Sequence, residues 1–259
     1  MDECVGQTTT QRAKEMKSES RETQKKVVPL QGLYEPNCIM KKDYKLIILD
    51  FDGTIADTNA CIIRTFNQTL QEMGYPTVDE QRISNLIGLP LRQMYADILR
   101  TDDTELIDRA FHIYRDLFMG ISTTTVTLFP HVAETLRFIH GQGIRLAIAT
   151  SRGRDSLRAL LRTHGIDQYI ATDCCEEDVK HKKPEPEMVE RLLDETGFTA
   201  EETLVVGDTW YDIQMGCSAG CDTCGVTYGN HSRELLSEHG AGAIINDFAE
   251  LPAVIGLIH

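Results

Sequence analysis

The sequence has no hydrophobic run long enough for a membrane span, and no secretion signal. Among its 259 residues, no apolar stretch approaches the roughly 18 residues that a transmembrane helix needs. The N-terminus also lacks the basic segment followed by an apolar one that marks a signal peptide. We therefore predict a soluble, cytoplasmic protein without a membrane partner.

Basic residues are in short supply. The chain carries 26 Lys and Arg against 40 Asp and Glu, a formal net charge of −14. Residues 1–44 hold eight basic and seven acidic residues, so almost all of the negative charge lies on the rest of the chain. Acidic surfaces repel the phosphate backbone of nucleic acids, and we therefore predict no nucleic-acid partner.

The chain also lacks the cysteine pattern of a disulfide framework or a zinc site. It has 8 cysteines, but a chain of this length buries enough apolar surface to fold without disulfides. Cys221 and Cys224 form a single CxxC, and no second CxxC or histidine pair completes a metal site. We expect ordinary reduced thiols.

The first 43 residues are polar and show little hydrophobic periodicity, with Thr, Gln, Glu, Lys and Ser dominating. This composition predicts a disordered tail. Met40 stands where a compact domain would begin, and it is therefore a candidate start of the natural protein. A targeting peptide is the alternative interpretation, and the acidic residues of the segment disfavour it.

From Lys45 onward, short apolar runs alternate with helical patterns. Runs rich in Ile, Val, Leu and Ala predict strands at residues 45–50, 144–150, 203–208, 224–228 and 241–246. Continuous apolar strands between helices indicate an α/β fold with a parallel sheet covered on both faces.

The stretch between the first two predicted strands is too long for a simple crossover. Apolar residues recur at helical spacing from Ile62 to Met73 and again further on, which predicts several amphipathic helices. We predict a helical insertion at residues 59–128 and a core domain formed by residues 44–58 and 129–259.

Polar side chains follow three of the predicted strands. They are Asp50 and Asp52 after the first, Thr150 and Ser151 after the second, and Asp208 and Asp212 around the end of the third. In an open parallel sheet, the ligand crevice lies beyond the carboxyl ends of the strands. Carboxylates gathered there repel one another unless a cation joins them, and oxygen ligands suit Mg²⁺. We therefore predict a Mg²⁺ site at this edge of the sheet.

Two further residues fit phosphate chemistry at the same place. Gly53 permits a tight turn whose backbone NH groups bind phosphate oxygens, and Lys183 supplies positive charge. Each motif alone has a simpler interpretation: an Asx turn after the first strand, helix caps at Thr150 and Ser151, and a solvated loop lysine at Lys183. Their joint order along the chain favours a catalytic site.

Four motifs together carry a family resemblance. They are DFDGT at residues 50–54, Thr150 within IATSR, Lys183 within KKPEP, and GDTWYD at residues 207–212. From about Tyr44 to the C-terminus, the sequence resembles the haloacid dehalogenase superfamily, in the branch of phosphoglycolate phosphatase and beta-phosphoglucomutase. The resemblance implies a Rossmann-like parallel-sheet core with an inserted α-helical cap of the C1 type.

The resemblance also implies catalytic roles. Asp50 would be the nucleophile that forms an aspartyl-phosphate, and Asp52 the acid and base that protonates the leaving oxygen and then activates water. The implied phosphate contacts are made by Phe51, Gly53, Thr150, Ser151 and Lys183. Retention of Asp52 separates the chain from the actual dehalogenases, which lack this acid.

The metal ligands are implied in the same way. Mg²⁺ would be bound by Asp50, by the backbone carbonyl of Asp52 and by Asp208, with Asp212 supporting the site from behind these ligands.

The predicted function is Mg²⁺-dependent hydrolysis of a small phosphorylated metabolite similar to phosphoglycolate. A phosphomutase of the beta-phosphoglucomutase type and an inorganic pyrophosphatase are the alternatives. A non-enzymatic binding protein is disfavoured because every carboxylate that the chemistry requires is present. Arg92, within IGLPLRQM, is a candidate anchor for a distal anionic group, and a solvated helix residue is the alternative there.

Overall fold

The computed structural model describes residues 43–257, apart from the side chains of residues 122–124. Except for its last residue, the predicted tail lies outside the described residues, as does Met40. The strands are β1 (Leu46–Leu49), β2 (Ala56–Asp57), β3 (Thr127–Leu128), β4 (Arg145–Ala149), β5 (Ile170–Cys174), β6 (Thr203–Gly207), β7 (Asp222–Val226) and β8 (Ala243–Ile245). The helices are α1 (Asn59–Glu72), α2 (Glu80–Ser84), α3 (Leu91–Leu99), α4 (Thr104–Thr125), α5 (Val132–Gly141), α6 (Arg154–Thr163), α7 (Glu187–Thr196), α8 (Trp210–Ser218), α9 (Arg233–Glu238) and α10 (Leu251–Val254).

Six parallel strands form the main sheet, in the order β5-β4-β1-β6-β7-β8. The four residues of β1 are fully buried because helices cover both faces of the sheet. Ile47 and Leu49 belong to one core cluster with residues of α5 and α6, whereas Leu46 and Ile48 belong to a second cluster with residues of α7 and α8. This alternation follows from the two-residue period of a strand. The predicted α/β fold with a parallel sheet is confirmed.

Two strands of the main sheet differ from the sequence-based prediction, and the short strands β2 and β3 were not predicted either. β5 was not predicted, because this edge strand mixes buried and partly exposed residues and has no continuous apolar run. β7 begins at Asp222, two residues before the predicted strand, because the turn at Gly220 (φ +78°) ends there. The chemistry-bearing loops after β1, β4 and β6 are unaffected by either difference.

Helices α1 to α4 lie between β2 and β3, and we call residues 59–125 the helical segment. β2 and β3 pair antiparallel, with Ala56 opposite Leu128 and Asp57 opposite Thr127. The chain therefore enters and leaves the helical segment at neighbouring points. This agrees with a helical insertion, while the division of the chain into a core and a cap domain stays a prediction.

Within residues 43–257, no helix is long and apolar enough to cross a membrane. The six cysteines of this range are free, and all but Cys217 are buried. Burial raises the pKa of Cys221 and of Cys224 to about 12. Thiols with such pKa values stay protonated near neutral pH and are therefore poor ligands and nucleophiles.

Candidate active site

Residues that follow three adjacent strands meet at one edge of the sheet. Asp50 follows β1, Thr150 follows β4 and Asp208 follows β6. Parallel strands place their carboxyl ends at the same edge. The three residues are only 7%, 1% and 0% exposed. Burying a polar group is costly unless it is paired. The three residues therefore belong to a packed polar site and not to solvated turns.

Lys183 joins two of the carboxylates. It lies between β5 and α7, and its Nζ donates to Asp50 Oδ1 and to Asp212 Oδ1, each at 2.6 Å. Burial opposes the charge of Lys183, but Asp212 and Asp50 outweigh burial and raise its pKa above the ordinary value. The residue is 2% exposed, which excludes the alternative interpretation of a solvated loop lysine.

Asp208 is held by donors from two other loops. Its Oδ2 accepts hydrogen bonds from the backbone N of Asn230 at 2.7 Å and from Nδ2 of the same residue at 2.8 Å. Its Oδ1 accepts one from Thr54 Oγ1 at 3.2 Å. Burial and then the charge of Asp212 raise the pKa of Asp208 to about 7, against the effect of the Asn230 hydrogen bonds. The carboxylate is thus fixed in position but poorly compensated in charge.

Two glycines let the backbone approach Asp208 closely. A Cβ added to Gly53 would lie 2.2 Å from Asp208 Oδ2, and one added to Gly229 would lie 2.3 Å from the same atom. Gly53 also has φ +89°, a conformation that side chains disfavour. Any larger residue at either position would displace the carboxylate.

Asp50, Asp208 and Asp212 form a group that fits a metal ion. All three are buried, and each offers a carboxylate oxygen within 4.8 Å of the others. Burial raises the pKa of Asp50 well above its ordinary value, Lys183 opposes this shift, and Asp212 and Asp208 add to it. Three carboxylates and one ammonium carry two formal negative charges, which a divalent cation balances. Oxygen ligands alone favour Mg²⁺ over softer metals.

Asp212 differs from the other two carboxylates in its hydrogen bonding. One oxygen accepts from Lys183, and the other accepts from the backbone N of Thr209 at 3.1 Å and from Thr209 Oγ1 at 2.6 Å. Both oxygens are therefore already bonded within the protein, as expected of a residue that supports a site from behind its ligands.

A second acidic group, formed by Asp173, Cys175 and Asp178, does not need a cation. The guanidinium of Arg154 forms ion pairs with both of its carboxylates. Because the protein itself supplies the counter-charge, this group resembles a structural ion-pair cluster more than a metal site.

Asp52 lies beside the metal-fitting group and has a different partner. Arg152 Nε donates to Asp52 Oδ2 at 2.9 Å, and Arg152 Nη2 bonds to Oδ1. The two side chains are 7% and 15% exposed. Burial opposes the charge of Arg152, but Asp52 outweighs burial and raises the pKa of Arg152 above its ordinary value. Asp52 is therefore held in a two-pronged, largely buried ion pair.

The residues after β4 connect the sheet to the helical segment. The Oγ1 of Thr150 accepts a hydrogen bond from the backbone N of Arg152 at 3.1 Å, and Ser151 Oγ donates to the carbonyl of Gly88 at 2.8 Å. Helix α6 begins only at Arg154, so Thr150 and Ser151 precede its N-cap and do not themselves cap the helix.

A cavity of about 610 Å³ lies between the strand ends and the helical segment. Its floor includes Asp50, Asp52 and Thr150, whereas Asp208, Asp212 and Lys183 lie beneath this lining. The wall on the side of the helical segment includes Ile87, Leu91, Arg92, Met94, Phe111, Tyr114, Arg115, Phe118 and Met119. A small ligand on the floor would therefore be enclosed by aromatic and aliphatic side chains.

Arg92 lines this cavity, as predicted for the segment around it. Its Nε donates to Asp108 Oδ1 at 2.8 Å, and its guanidinium lies 3.6 Å from the centre of the Phe111 ring. The guanidinium is thus already paired on its own wall, and its predicted contact with a substrate anion stays a prediction.

The structure brings most of the predicted site residues together and places one differently. Asp50, Asp52, Gly53, Thr150, Ser151, Lys183, Asp208 and Asp212 gather around the floor of the cavity. The side chain of Phe51 is fully buried in the core, so any phosphate contact by this residue would come from its backbone.

Three residues of the site were not predicted as members. They are Thr54 and Asn230, which bind Asp208, and Arg152, which binds Asp52. Thr54 and Arg152 lie within the motifs DFDGT and IATSR, but their partners are distant in sequence. The motifs indicated that Thr54 and Arg152 lie near the site, but nothing in the sequence indicated which residues they contact.

An open parallel sheet with buried carboxylates at its strand ends, below a helical insertion, defines a Rossmann-like α/β enzyme with its ligand site at that edge. The family described as haloacid dehalogenase-like hydrolase matches residues 47–226. The chain belongs to this family. The predicted superfamily and the predicted class of phosphate-ester hydrolase are confirmed.

Several relatives carry phosphatase names. "Probable phosphatase IndB" of Dickeya dadantii is 34% identical over 83% of this chain and 93% of its own length. Phosphoglycolate phosphatase of Aliivibrio fischeri is 32% identical over 84% of this chain and 99% of its own length. Pyrophosphatase PpaX of Oceanobacillus iheyensis is 31% identical over 82% of this chain and 97% of its own length.

A solved structure of a haloacid dehalogenase-like hydrolase from Bacteroides fragilis matches with a TM-score of 0.77 at 27% identity, covering 80% of this chain and 99% of that one. Each of these proteins therefore aligns with this chain over nearly its whole length. The aligned part of this chain includes both the strand-end residues and the helical segment.

Proposed function

We propose that the protein is a Mg²⁺-dependent phosphatase that hydrolyses a small phosphorylated metabolite through an aspartyl-phosphate on Asp50. One observation carries the proposal. Asp50 reaches the cavity floor, and among the described residues only its Oδ1 accepts a hydrogen bond, from Lys183. The second oxygen, Oδ2, remains for attack on a phosphoryl group.

In the first step, Asp50 Oδ2 forms a bond to phosphorus while the bond from phosphorus to the leaving oxygen breaks. Asp52 donates a proton to that oxygen, so that the product leaves as a neutral hydroxyl group. Lys183 stays bonded to Asp50 and supplies positive charge beside the transferring phosphoryl group. The Thr150 hydroxyl donates a hydrogen bond to one of its oxygens.

In the second step, water attacks the phosphorus atom of the aspartyl-phosphate. Asp52, now a carboxylate, takes a proton from this water, and the bond between phosphorus and Asp50 breaks. Inorganic phosphate leaves, and both carboxyl groups return to their initial protonation states. The helical wall of the cavity limits the access of bulk water during transfer.

The metal would be held by Asp50, Asp208 and the backbone carbonyl of Asp52, with Asp212 supporting from behind. When bound, Mg²⁺ supplies positive charge against the phosphoryl oxygens. The all-oxygen donor set and its two uncompensated negative charges support this assignment.

The names of the relatives support two candidate substrates. A two-carbon phosphate ester such as phosphoglycolate is favoured by the name of the relative from Aliivibrio fischeri. Pyrophosphate is the second candidate, because other relatives of similar identity are named pyrophosphatases. Phosphomutase activity of the beta-phosphoglucomutase type, which the sequence resemblance suggests, stays an alternative.

Phosphate release should be measured with and without Mg²⁺ on phosphoglycolate, sugar phosphates, nucleoside monophosphates and pyrophosphate. We expect metal-dependent release that prefers one class of compound, and none from Asp50→Asn. A protein that binds Mg²⁺ but releases no phosphate from any of them would contradict the phosphatase proposal. Conversion of a sugar phosphate that requires a bisphosphate primer would instead identify a mutase.

A further inference from the structure

The guanidinium of Arg152 lies between the proposed acid and the helical segment. It bonds to both oxygens of Asp52, and its Nη1 donates to Ser156 Oγ at 2.7 Å. Its charged carbon lies 4.5 Å from the centre of the Phe118 ring in α4. The group is therefore fixed by contacts with the strand end, with α6 and with the helical segment at once.

This arrangement conflicts with the first step of the proposed reaction. Both oxygens of Asp52 accept hydrogen bonds from Arg152, so neither is free to contact the leaving oxygen. Asp52 can reach the leaving oxygen only when Arg152 finds another partner. A largely buried guanidinium that loses its carboxylate is uncompensated unless a second anion replaces it. An anionic group of a bound substrate would supply this replacement.

The other cations that line the cavity have partners away from Asp52. Arg92 is paired with Asp108, and Arg115 lies 3.8 Å from Asp155. Lys182 donates to the backbone carbonyl of Glu176. Among the described cations of the lining, Arg152 is the one bonded to the proposed acid, next to the position of a leaving oxygen.

We propose that Arg152 is a specificity-determining residue that binds a second anionic group of the substrate and thereby frees Asp52. The group is a carboxylate or a further phosphoryl group close to the bond that is cleaved. The inference rests on the proposed function and narrows its substrate class to phosphate compounds that carry two anionic groups. Alkyl phosphates without a second anionic group leave Arg152 on Asp52 and are poor substrates.

Guanidinium is suited to this task by its geometry. Its planar fork matches the two oxygens of a carboxylate or phosphate, so the same donors can exchange Asp52 for a substrate anion. Lysine has one nitrogen and cannot reproduce the two-pronged contact. Arg152→Lys should therefore keep the charge but restore only part of the selectivity.

Binding tests the proposal without turnover. In the full-length Asp50→Asn protein with Mg²⁺, calorimetric titration should compare phosphoglycolate with ethyl phosphate, which has the same number of carbon atoms but no carboxylate. We expect phosphoglycolate to bind roughly tenfold more tightly or better, and Arg152→Gln to abolish this preference. Equal binding of the two esters before the substitution, or no binding of either, would overturn the proposal.

Three further variants make the test specific. Arg158→Gln removes an exposed arginine of α6 outside the cavity and should leave the preference unchanged. Asp52→Asn combined with Arg152→Gln removes both charges of the buried pair and serves if the single variant does not fold. If Arg92→Gln loses the preference while Arg152→Gln keeps it, the anion is bound by Arg92 and the proposal is wrong.

Turnover separates this inference from the proposed function. If the wild-type protein hydrolyses no phosphate compound, the phosphatase proposal fails, and the titrations still decide the role of Arg152. If wild type hydrolyses ethyl phosphate as efficiently as phosphoglycolate, the role of Arg152 fails while the phosphatase proposal stands.

Discussion

The two walls of the cavity, its strand-end floor and its helical wall, hold their charges in different ways. On the strand-end side, Lys183 forms ion pairs with Asp50 and with Asp212, and all three side chains are almost fully buried. On the helical wall, the side chains of Arg92 and Asp108 form a pair that is 42% and 53% exposed. Exposed pairs contribute little to stability, whereas breaking a buried pair is costly. The proposed catalytic residues therefore lie where substitution costs much stability, whereas the exposed pair on the helical wall can be changed at little cost in stability.

The largest expected effect is the loss of the proposed nucleophile. Asp50→Asn removes the attacking carboxylate but keeps its shape, and we expect turnover to fall by roughly 10³-fold or more. Folding should persist because Lys183 still has Asp212. Phosphate release measures the loss of turnover, and thermal unfolding measures whether the protein still folds. Asp57→Asn, at an exposed position, is the control. An active Asp50→Asn protein would refute the nucleophile assignment.

The two walls are compared directly by removing one charge from each. Lys183→Met leaves Asp50 and Asp212 buried without their cation, and we expect a loss of about 3–5 kcal/mol in the free energy of unfolding. Asp108→Asn breaks the exposed pair with Arg92 and should cost about 1 kcal/mol or less.

Urea unfolding in the presence of a chelator measures both variants. Lys180→Met, at an exposed position near Lys183, controls for the loss of a lysine as such. If Lys183→Met and Asp108→Asn lost similar amounts of unfolding free energy, the two walls would not differ in the cost of breaking an ion pair.

A smaller effect is expected from crowding Asp208. In Gly229→Ala, the new Cβ would meet Asp208 Oδ2 at 2.3 Å and the carbonyl oxygen of Gly53 at 2.5 Å. We expect a loss of about 1–3 kcal/mol in unfolding free energy, and weaker binding of Mg²⁺. Gly141→Ala is the matched control, because nothing lies within 4 Å of its added Cβ. A Gly229→Ala protein with wild-type stability and metal affinity would contradict the close packing of Gly53 and Gly229 around Asp208.

The smallest expected effect belongs to an exposed pair outside the cavity. His131 Nδ1 lies 2.8 Å from Asp247 Oδ1, and this hydrogen bond raises the pKa of His131 above its ordinary value. The pair therefore contributes stability below the ordinary histidine pKa of about 6.5, and the contribution is lost as the pH rises through the raised value.

His131→Asn tests this, since asparagine tolerates the positive φ of +63° at this position. Its melting temperature should fall below that of wild type in mildly acidic buffer and approach it in alkaline buffer. A difference between the two proteins that is independent of pH would exclude the ion pair as its cause.

The sequence predicts those elements whose signals are local. The apolar runs of β1 and β6 and the carboxylates after them needed no tertiary information, because a buried strand and its polar end are adjacent in the chain. β5 escaped prediction because an edge strand has no continuous apolar run. The partners of Asp52 and Asp208 escaped it as well: Arg152 lies 100 residues from Asp52, and Asn230 lies 22 residues from Asp208. Only the packing of the sheet brings these residues into contact.

The short pair of strands β2 and β3 has a consequence for how such a protein can be altered. Opposed residues in an antiparallel pair lie only about 5 Å apart, so everything between Ala56 and Leu128 hangs from two adjacent attachment points. Another helical module with similarly spaced ends could be transplanted there without shifting the register of the sheet, so the helical wall of the cavity could be replaced while the acidic floor and Arg152 stay unchanged.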